Sequence, residues 1–271
     1  MYLDKKLVVN YGLSSNCDDS YNNHSSCQTH DNPEVLVWGD SYAMHLTQGL
    51  LSSNPEIKLV QKTVSGCGPV LGIAPRPEMR LWSRKCMEIN DEVFKFLENT
   101  PDIKHVVMSS PFEQYLGNDV FVRSREGSTI LGNEVALKAM MQTIKQIKAL
   151  GKIPIIFSPT PQNGQNIGHC LVKSELFDAD RRVCDIRVSD FLYRQSEVWN
   201  FLGELEKSVK VVWLNNYLCS SGICKSSFGD IMIYRDNGHL SHEGSDYLGR
   251  KMNFYEQIVE VRDEKKLKET P

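Results

Sequence analysis

A serine hydroxyl needs a base and a steadying carboxylate before it can act as a nucleophile, and the sequence offers one such set. The stretch VLVWGDSYAMHL runs from an apolar strand-like segment through Gly39-Asp40-Ser41 into a helical pattern, so Ser41 stands at a helix's first turn. Backbone N–H groups are free there and the helix dipole is positive, an arrangement that can hold an oxyanion. The same position equally suits an ordinary N-cap at Asp40 or Ser41. Near the other end, RDNGHLSHEG carries Asp236 and His239 in a D-x-x-H spacing. An imidazole can take the serine proton while a carboxylate fixes its tautomer and stabilises the imidazolium. Asp-Asn-Gly is also a common turn, so the spacing alone decides little.

Other histidines compete for a role. His242 follows His239 by three residues and is an alternative base, with capping or contacting the last helix as its structural reading. His45, one turn after Ser41, either lines the site or packs. His24, His30, His105 and His169 have no evident partners. Cys219, Cys224, His239 and His242 can be written as a zinc set, but the cysteine spacing is long for a tight knuckle and zinc would consume the histidine the serine needs. No metal and no cofactor are therefore expected. G-D-S-Y-A lacks the last glycine of a G-x-S-x-G elbow, and the order Ser, Asp, His with two residues between the last pair argues against an α/β-hydrolase.

These residues must be positioned by regular elements. Apolar runs VLVW (35–38), IKLVQKTV (57–64), IKHVVM (103–108), KIPIIFS (152–158) and VKVVWL (209–214) read as five buried strands. Between them, 42–52, 83–99, 133–150 and 189–207 read as helices, and a last helix is expected over 243–259. In the third, Leu137, Met140, Met141, Ile144 and Ile147 are placed on one face. Such alternation predicts a three-layer α/β/α sandwich on a five-stranded, mainly parallel sheet. Reactive loops then lie at the carboxyl ends of the strands, which puts Ser41, the 63–69 loop and the 109–112 loop on one edge. Residues 1–33 read as a polar extension packing on a domain at 34–260, and 261–271 as a charged tail.

With 41% hydrophobic and 24% charged residues among 271, the chain can bury a full core. Thirty-one basic against 34 acidic residues, a net charge of −3, provide no field to gather nucleic acid. No segment has the roughly 18 apolar residues a membrane span requires, so an export signal or anchor would lie outside this sequence. The eight cysteines fall as near neighbours: Cys17 with Cys27, Cys67 with Cys86, Cys170 with Cys184 and Cys219 with Cys224. That suggests four local disulfides and an oxidising compartment, although eight cysteines allow about 105 pairings and reduced buried thiols are the alternative.

Gly39-Asp40-Ser41 and Asp236-x-x-His239 together resemble the first and last blocks of the SGNH/GDSL hydrolases, whose sheet is flavodoxin-like. VLVWGDSYAMHL, SGCGPVLG with Cys86, and LCSSGIC leading into YRDNGHLSHEG are similar to one branch, the SGNH domain fused behind the acyltransferase-3 membrane module of bacterial surface-polysaccharide O-acetyltransferases. The resemblance spans about 35–259, and the 1–33 extension resembles the linker before such domains. It implies a domain outside the cytoplasm, tethered to the inner membrane and monomeric in isolation. Such a domain takes an acetyl group from the membrane module and passes it to a carbohydrate hydroxyl of lipopolysaccharide or O-antigen type. It further implies Ser41, Asp236 and His239 as a catalytic triad, and the N–H groups of Ser41 and Gly66 as an oxyanion hole. The family's third block carries an asparagine, where this chain has Ser109-Ser110-Pro111-Phe112; the fused branch commonly lacks it. Gly117-Asn118-Asp119 imitates that block but lies several residues past the strand. A secreted esterase that uses water, and a carbohydrate-binding domain without chemistry, are the alternatives.

Overall fold

Five short strands form one parallel sheet in the computed structural model, which describes residues 6–18 and 24–260. The strands are β1 (Val35–Gly39), β2 (Leu59–Thr63), β3 (His105–Ser109), β4 (Ile153–Phe157) and β5 (Lys210–Val212). They lie in the order β2-β1-β3-β4-β5 with every neighbouring pair parallel. This doubly wound order reverses between β1 and β3, which is where such sheets open a crevice. Ser41 follows β1 and Ser110 follows β3 at that point.

Strand side chains alternate between two cores because successive residues point to opposite faces. Leu36, Trp38, Val106, Met108 and Ile156 face one side, packed by α2 (Arg80–Glu98), α3 (Gly132–Ala149) and α5 (Val188–Glu206). Val35, Val37, Val107, Ile155 and Phe157 face the other, covered by α1 (Ser41–Ser53), α4 (Ile167–Leu176), α6 (His242–Met252) and α7 (Phe254–Val259). The three-layer architecture expected from the alternation is present. Among the described residues no helix is long and apolar enough to cross a membrane.

Three expectations need correction. The last helix is not continuous over 243–259: Asn253 adopts a left-handed conformation (φ 48°) and splits it into α6 and α7. Helix α4 was not expected, since its ten residues follow the loop SPTPQNGQN and carry too few turns for a clear period. On α3, Met141 is 37% exposed, whereas Met140, Ile144 and Ile147 are buried with Ala136; Met140 and Met141 stand about 100° apart on a helix and cannot share one narrow face.

The described part of the polar extension runs along the open edge of β2. Asp18 pairs with Thr63 and Gln28 with Val60 as isolated bridges, and the Thr29 N–H donates to the Leu59 carbonyl at 2.9 Å. These contacts cover an edge that would otherwise offer unpaired backbone groups. Cys17–Cys27, Cys67–Cys86, Cys170–Cys184 and Cys219–Cys224 are disulfides, which leaves no free cysteine. The expected tail at 261–271 lies outside the described residues.

Helices α1 and α6 cross so closely that only glycine fits at the contact. A methyl group on Gly249 would collide with the Gly49 backbone, and one on Gly49 would stand 2.7 Å from the Ser245 carbonyl oxygen. In an unconstrained helix, Gly→Ala stabilises by about 1 kcal/mol. Here Gly249→Ala is expected to destabilise by about 2 kcal/mol through overpacking, as read by urea titration of the far-UV circular dichroism. A more stable variant would mean that the helices do not touch this closely.

Candidate active site

Asp40 caps α1 with its side chain, accepting from the Tyr42 N–H at 2.9 Å, while its carbonyl accepts from the Ala43 and Met44 N–H groups. None of these bonds uses the Ser41 amide. The Asp40 carboxylate is buried, 1% exposed, and its other oxygen accepts from Ser110 Oγ at 2.6 Å and Gln114 Nε2 at 3.1 Å. Burial pushes its carboxyl up to about 6, against the pull of Ser110, the Tyr42 amide, His239 and Gln114.

From the other end of the chain, the loop before α6 folds back on itself. Asp236 Oδ1 accepts from the Gly238 N–H at 3.0 Å and the His239 N–H at 2.8 Å, and the Arg235 N–H donates to the His239 carbonyl at 3.0 Å. Thr160 Oγ1 donates to the Gly238 carbonyl, which ties this loop to the segment after β4. His239 Nδ1 lies 2.8 Å from Asp236 Oδ2 and 3.0 Å from Oδ1, and His239 Nε2 lies 2.8 Å from Ser41 Oγ. With the ring proton on Nδ1, facing the carboxylate, Nε2 accepts the hydroxyl hydrogen. Partial burial pulls the Asp236 carboxyl up. The hydrogen bond and charge of His239, with two backbone donors, outweigh that and leave it well below the usual carboxylate range. The arrangement can take a proton from Ser41 and stabilise the imidazolium that results.

Two rings hold the imidazole in place. Tyr42 packs against His239 with ring centroids 4.6 Å apart, its hydroxyl accepting from Gln162 Nε2 at 2.8 Å. His45 stands edge-on to His239 at 5.9 Å and accepts from the Leu240 N–H through Nδ1 at 3.2 Å. Burial holds His45 well below the ordinary histidine range, so it is neutral. Of its two readings, lining or packing, it takes the second, one layer behind the half-buried His239. Tyr42, Thr160 and Gln162 carry no sequence signal for these duties beyond their place after β1 and β4.

The structure brings Ser41, Asp236 and His239 into one cluster, and Gly66 lies on the turn after β2. Val64 N–H donates to the Gly39 carbonyl at 3.0 Å, joining that turn to the strand end that precedes Ser41. His242 lies elsewhere, its Nε2 3.2 Å from the Val9 carbonyl. Asn118 is exposed on the turn leading to the short strand Phe121–Ser124. Cys219 and Cys224 are bonded to each other, so neither sulfur is a thiolate ligand. Among the described residues no group of three His, Cys, Asp or Glu is disposed to hold a metal.

A family model described as an SGNH domain fused to AT3 domains matches residues 15–253. The fold is similar to that of the periplasmic domain of a lipopolysaccharide acetyltransferase from Salmonella ser. Paratyphi A: TM-score 0.61 and 18% identity, over 85% of this chain and 86% of that one. A protein described as lipolytic and of the G-D-S-L family, from Desulfitobacterium hafniense DCB-2, matches with TM-score 0.43 and 13% identity over 82% of this chain and 99% of its own. A GDSL-like lipase from Bacteroides thetaiotaomicron VPI-5482 matches with TM-score 0.42 and 10% identity over 82% and 86%. No curated protein matches in sequence.

Asp40 and Asp236 titrate in opposite senses. The raised carboxyl of Asp40 contributes stability that is present below its ordinary 3.8 and lost as pH rises through about 6. The lowered carboxyl of Asp236 contributes stability that is present above 3.8 and lost as pH falls below it. Wild type is therefore expected to lose roughly 2 kcal/mol relative to Asp40→Asn between about pH 4 and pH 7. Denaturant titrations across that range measure it, and a difference constant with pH would contradict a costly buried carboxylate.

Proposed function

Because this chain belongs to the family of SGNH domains fused to AT3 domains, we propose that it is an acyl-transferring enzyme. It passes an acetyl group through Ser41 to a hydroxyl of a bacterial cell-surface polysaccharide. The observation that carries this reading is the continuous hydrogen-bonded path from Ser41 Oγ through His239 to Asp236, both links 2.8 Å.

In the first half-reaction Ser41 Oγ attacks the carbonyl carbon of the acetyl donor and its proton passes to His239 Nε2. The oxyanion that forms is held by the N–H groups of Ser41 and Gly66. The bond from the carbonyl carbon to the leaving group then breaks, and the leaving group takes the proton from Nε2. In the second half an acceptor hydroxyl gives its proton to Nε2 as its oxygen attacks the acetyl-serine, and Ser41 Oγ leaves and regains a proton. Asp236 keeps the Nδ1 hydrogen throughout and balances the imidazolium. The donor is inferred to arrive from an AT3 membrane module, and the acceptor class follows the acetyltransferase of similar fold. Four disulfides support a compartment outside the cytoplasm. The side chains of His239 and Asp236 are 22% and 26% exposed, so water can reach the acyl-serine, and ester hydrolysis is the second reading.

Ser41→Ala is expected to abolish both hydrolysis of an activated acetyl ester and transfer to added oligosaccharide, with the melting temperature nearly unchanged. Wild type should gain one adduct at Ser41 from a phosphonyl fluoride, seen by intact mass. Asp236→Asn should lower kcat by about 10³ to 10⁴ through the wrong tautomer, and His242→Ala should have little effect. A fully active Ser41→Ala variant refutes the assignment, and hydrolysis without any transfer would select water as the acceptor.

A further inference from the structure

We propose that Arg76 is the third donor to the oxyanion, supplying from the β2 side what the chain lacks at the end of β3. The proposal rests on the acyl-serine reading above. After β3, Ser110 Oγ is committed to Asp40 Oδ2 at 2.6 Å, and Gln114 Nε2 donates to the same oxygen at 3.1 Å. That end of the sheet supports the carboxylate beneath α1, and both of these side chains donate to it.

On the other side of β1 lies the Gly66 turn, which follows β2 and is held from several sides. Asp18 accepts from the Ser65 N–H and Ser65 Oγ, both at 2.8 Å, and Cys67 is bonded to Cys86 of α2. Over this turn lies the Arg76 guanidinium. A Cβ placed on Gly66, whose φ is +74°, would stand 3.2 Å from Nη2, 3.5 Å from Cζ and 3.7 Å from Nη1, so the group presents its flat side to the glycine. A Cβ lies about 2.5 Å from its own amide nitrogen, so Nη2 is within about 5.7 Å of the Gly66 nitrogen. Two donors that share one oxygen at about 2.9 Å each stand about 5 Å apart. That bound leaves room for one oxyanion to accept from both, with the guanidinium N–H groups directed along the plane of the group.

Two further observations fit this role. Arg76 forms no ion pair with a described residue although it is a permanent cation. Its backbone is left-handed (φ 56°), between Pro75 and Pro77. A bulky residue is disfavoured there by about 1 kcal/mol, and one preceding proline favours the extended region. The strain is maintained by Ala74, paired with Arg123, and by the Arg76 carbonyl, which accepts from the Met79 N–H at 2.9 Å at the start of α2. Strain of this kind persists where the surroundings over-determine it, often at ligand clamps.

The test is steady-state hydrolysis of an activated acetyl ester by Arg76→Ala and Arg76→Lys. Arg76→Ala is expected to lose about 10²-fold in kcat, the usual cost of one oxyanion donor, with KM within about twofold and no loss of melting temperature. Guanidinium added at millimolar concentration should restore part of the rate to Arg76→Ala and none to Ser41→Ala, and Arg76→Lys should fall between. Wild-type kcat in Arg76→Ala, or a loss that guanidinium does not recover, overturns the proposal while Ser41 still labels with phosphonyl fluoride. Failure of wild type to label at Ser41 would remove the acyl-serine reading itself, and this proposal with it.

Discussion

The distance between Ser41 and His239 is set by the crossing of α1 and α6. Ser41 is the first residue of α1, and His239 lies three residues before the start of α6. Those two side chains are separated by 198 positions in the chain, yet each hangs from the end of a helix whose partner it touches through Gly49 and Gly249. Close-packed backbones deform little. A contact without side chains between them therefore transmits a fixed spacing to the helix ends, where a fraction of an ångström decides whether a hydroxyl hydrogen bonds to an imidazole. Ser245 adds a second tie at the same crossing, its hydroxyl donating to the His45 carbonyl while its oxygen accepts from the Gly49 N–H.

Around that spacing the two carboxylates do different work because their surroundings differ. Asp236 meets an imidazole and two backbone donors near solvent and stays ionised far into acid. Asp40 sits under the helix with hydroxyl, amide and backbone donors but no cation at hydrogen-bond distance, and burial raises it. Environments that push two carboxyl groups apart separate their roles. One orients the His239 ring, and the other organises the turn that carries Ser41. His45, buried and neutral, belongs with Asp40: its Nδ1 takes the Leu240 N–H and so fixes the backbone beside His239 without adding a charge that would compete.

The sheet was legible because most of its strands are apolar runs of the kind that burial on both faces requires, while the edge strand β2 adds Gln61, Lys62 and Thr63 to its apolar start. The apolar period of α2, α3 and α5 likewise marks them. Helix α4 escaped because ten residues after a Pro-, Asn- and Gly-rich loop show too few turns, and the break at Asn253 escaped because the apolar residues on either side keep the helical step across it. At the site, Ser41, Asp236 and His239 were legible as residue types at a strand end and in a turn. Their supports were not. Thr160, Gln162 and Tyr42 are common residue types whose duties arise only when the β1 and β4 loops meet, and Ser110 acquires its meaning from Asp40, 70 positions away.

The disulfides extend the same division between a self-sufficient sheet and loops that need fastening. Their sequence separations are 10, 19, 14 and 5 residues. Loops so short restrict the unfolded chain modestly, by about 2 to 3 kcal/mol each, and none bridges two strands of the sheet. Their placement is more telling than their sum. Cys67–Cys86 anchors the turn carrying Gly66 to α2, while Cys17–Cys27 closes the extension whose Asp18 grips the other side of that turn. Cys170–Cys184 holds α4, whose Gly168 N–H donates to the Asp236 carbonyl at 3.3 Å. Three of the four bonds thus end within a residue or two of a residue that belongs to, or is bonded to, the Gly66 turn or the Asp236 loop. They order polar loop segments that have little apolar surface to bury, where a donor out of position would cost the site more than it costs the fold.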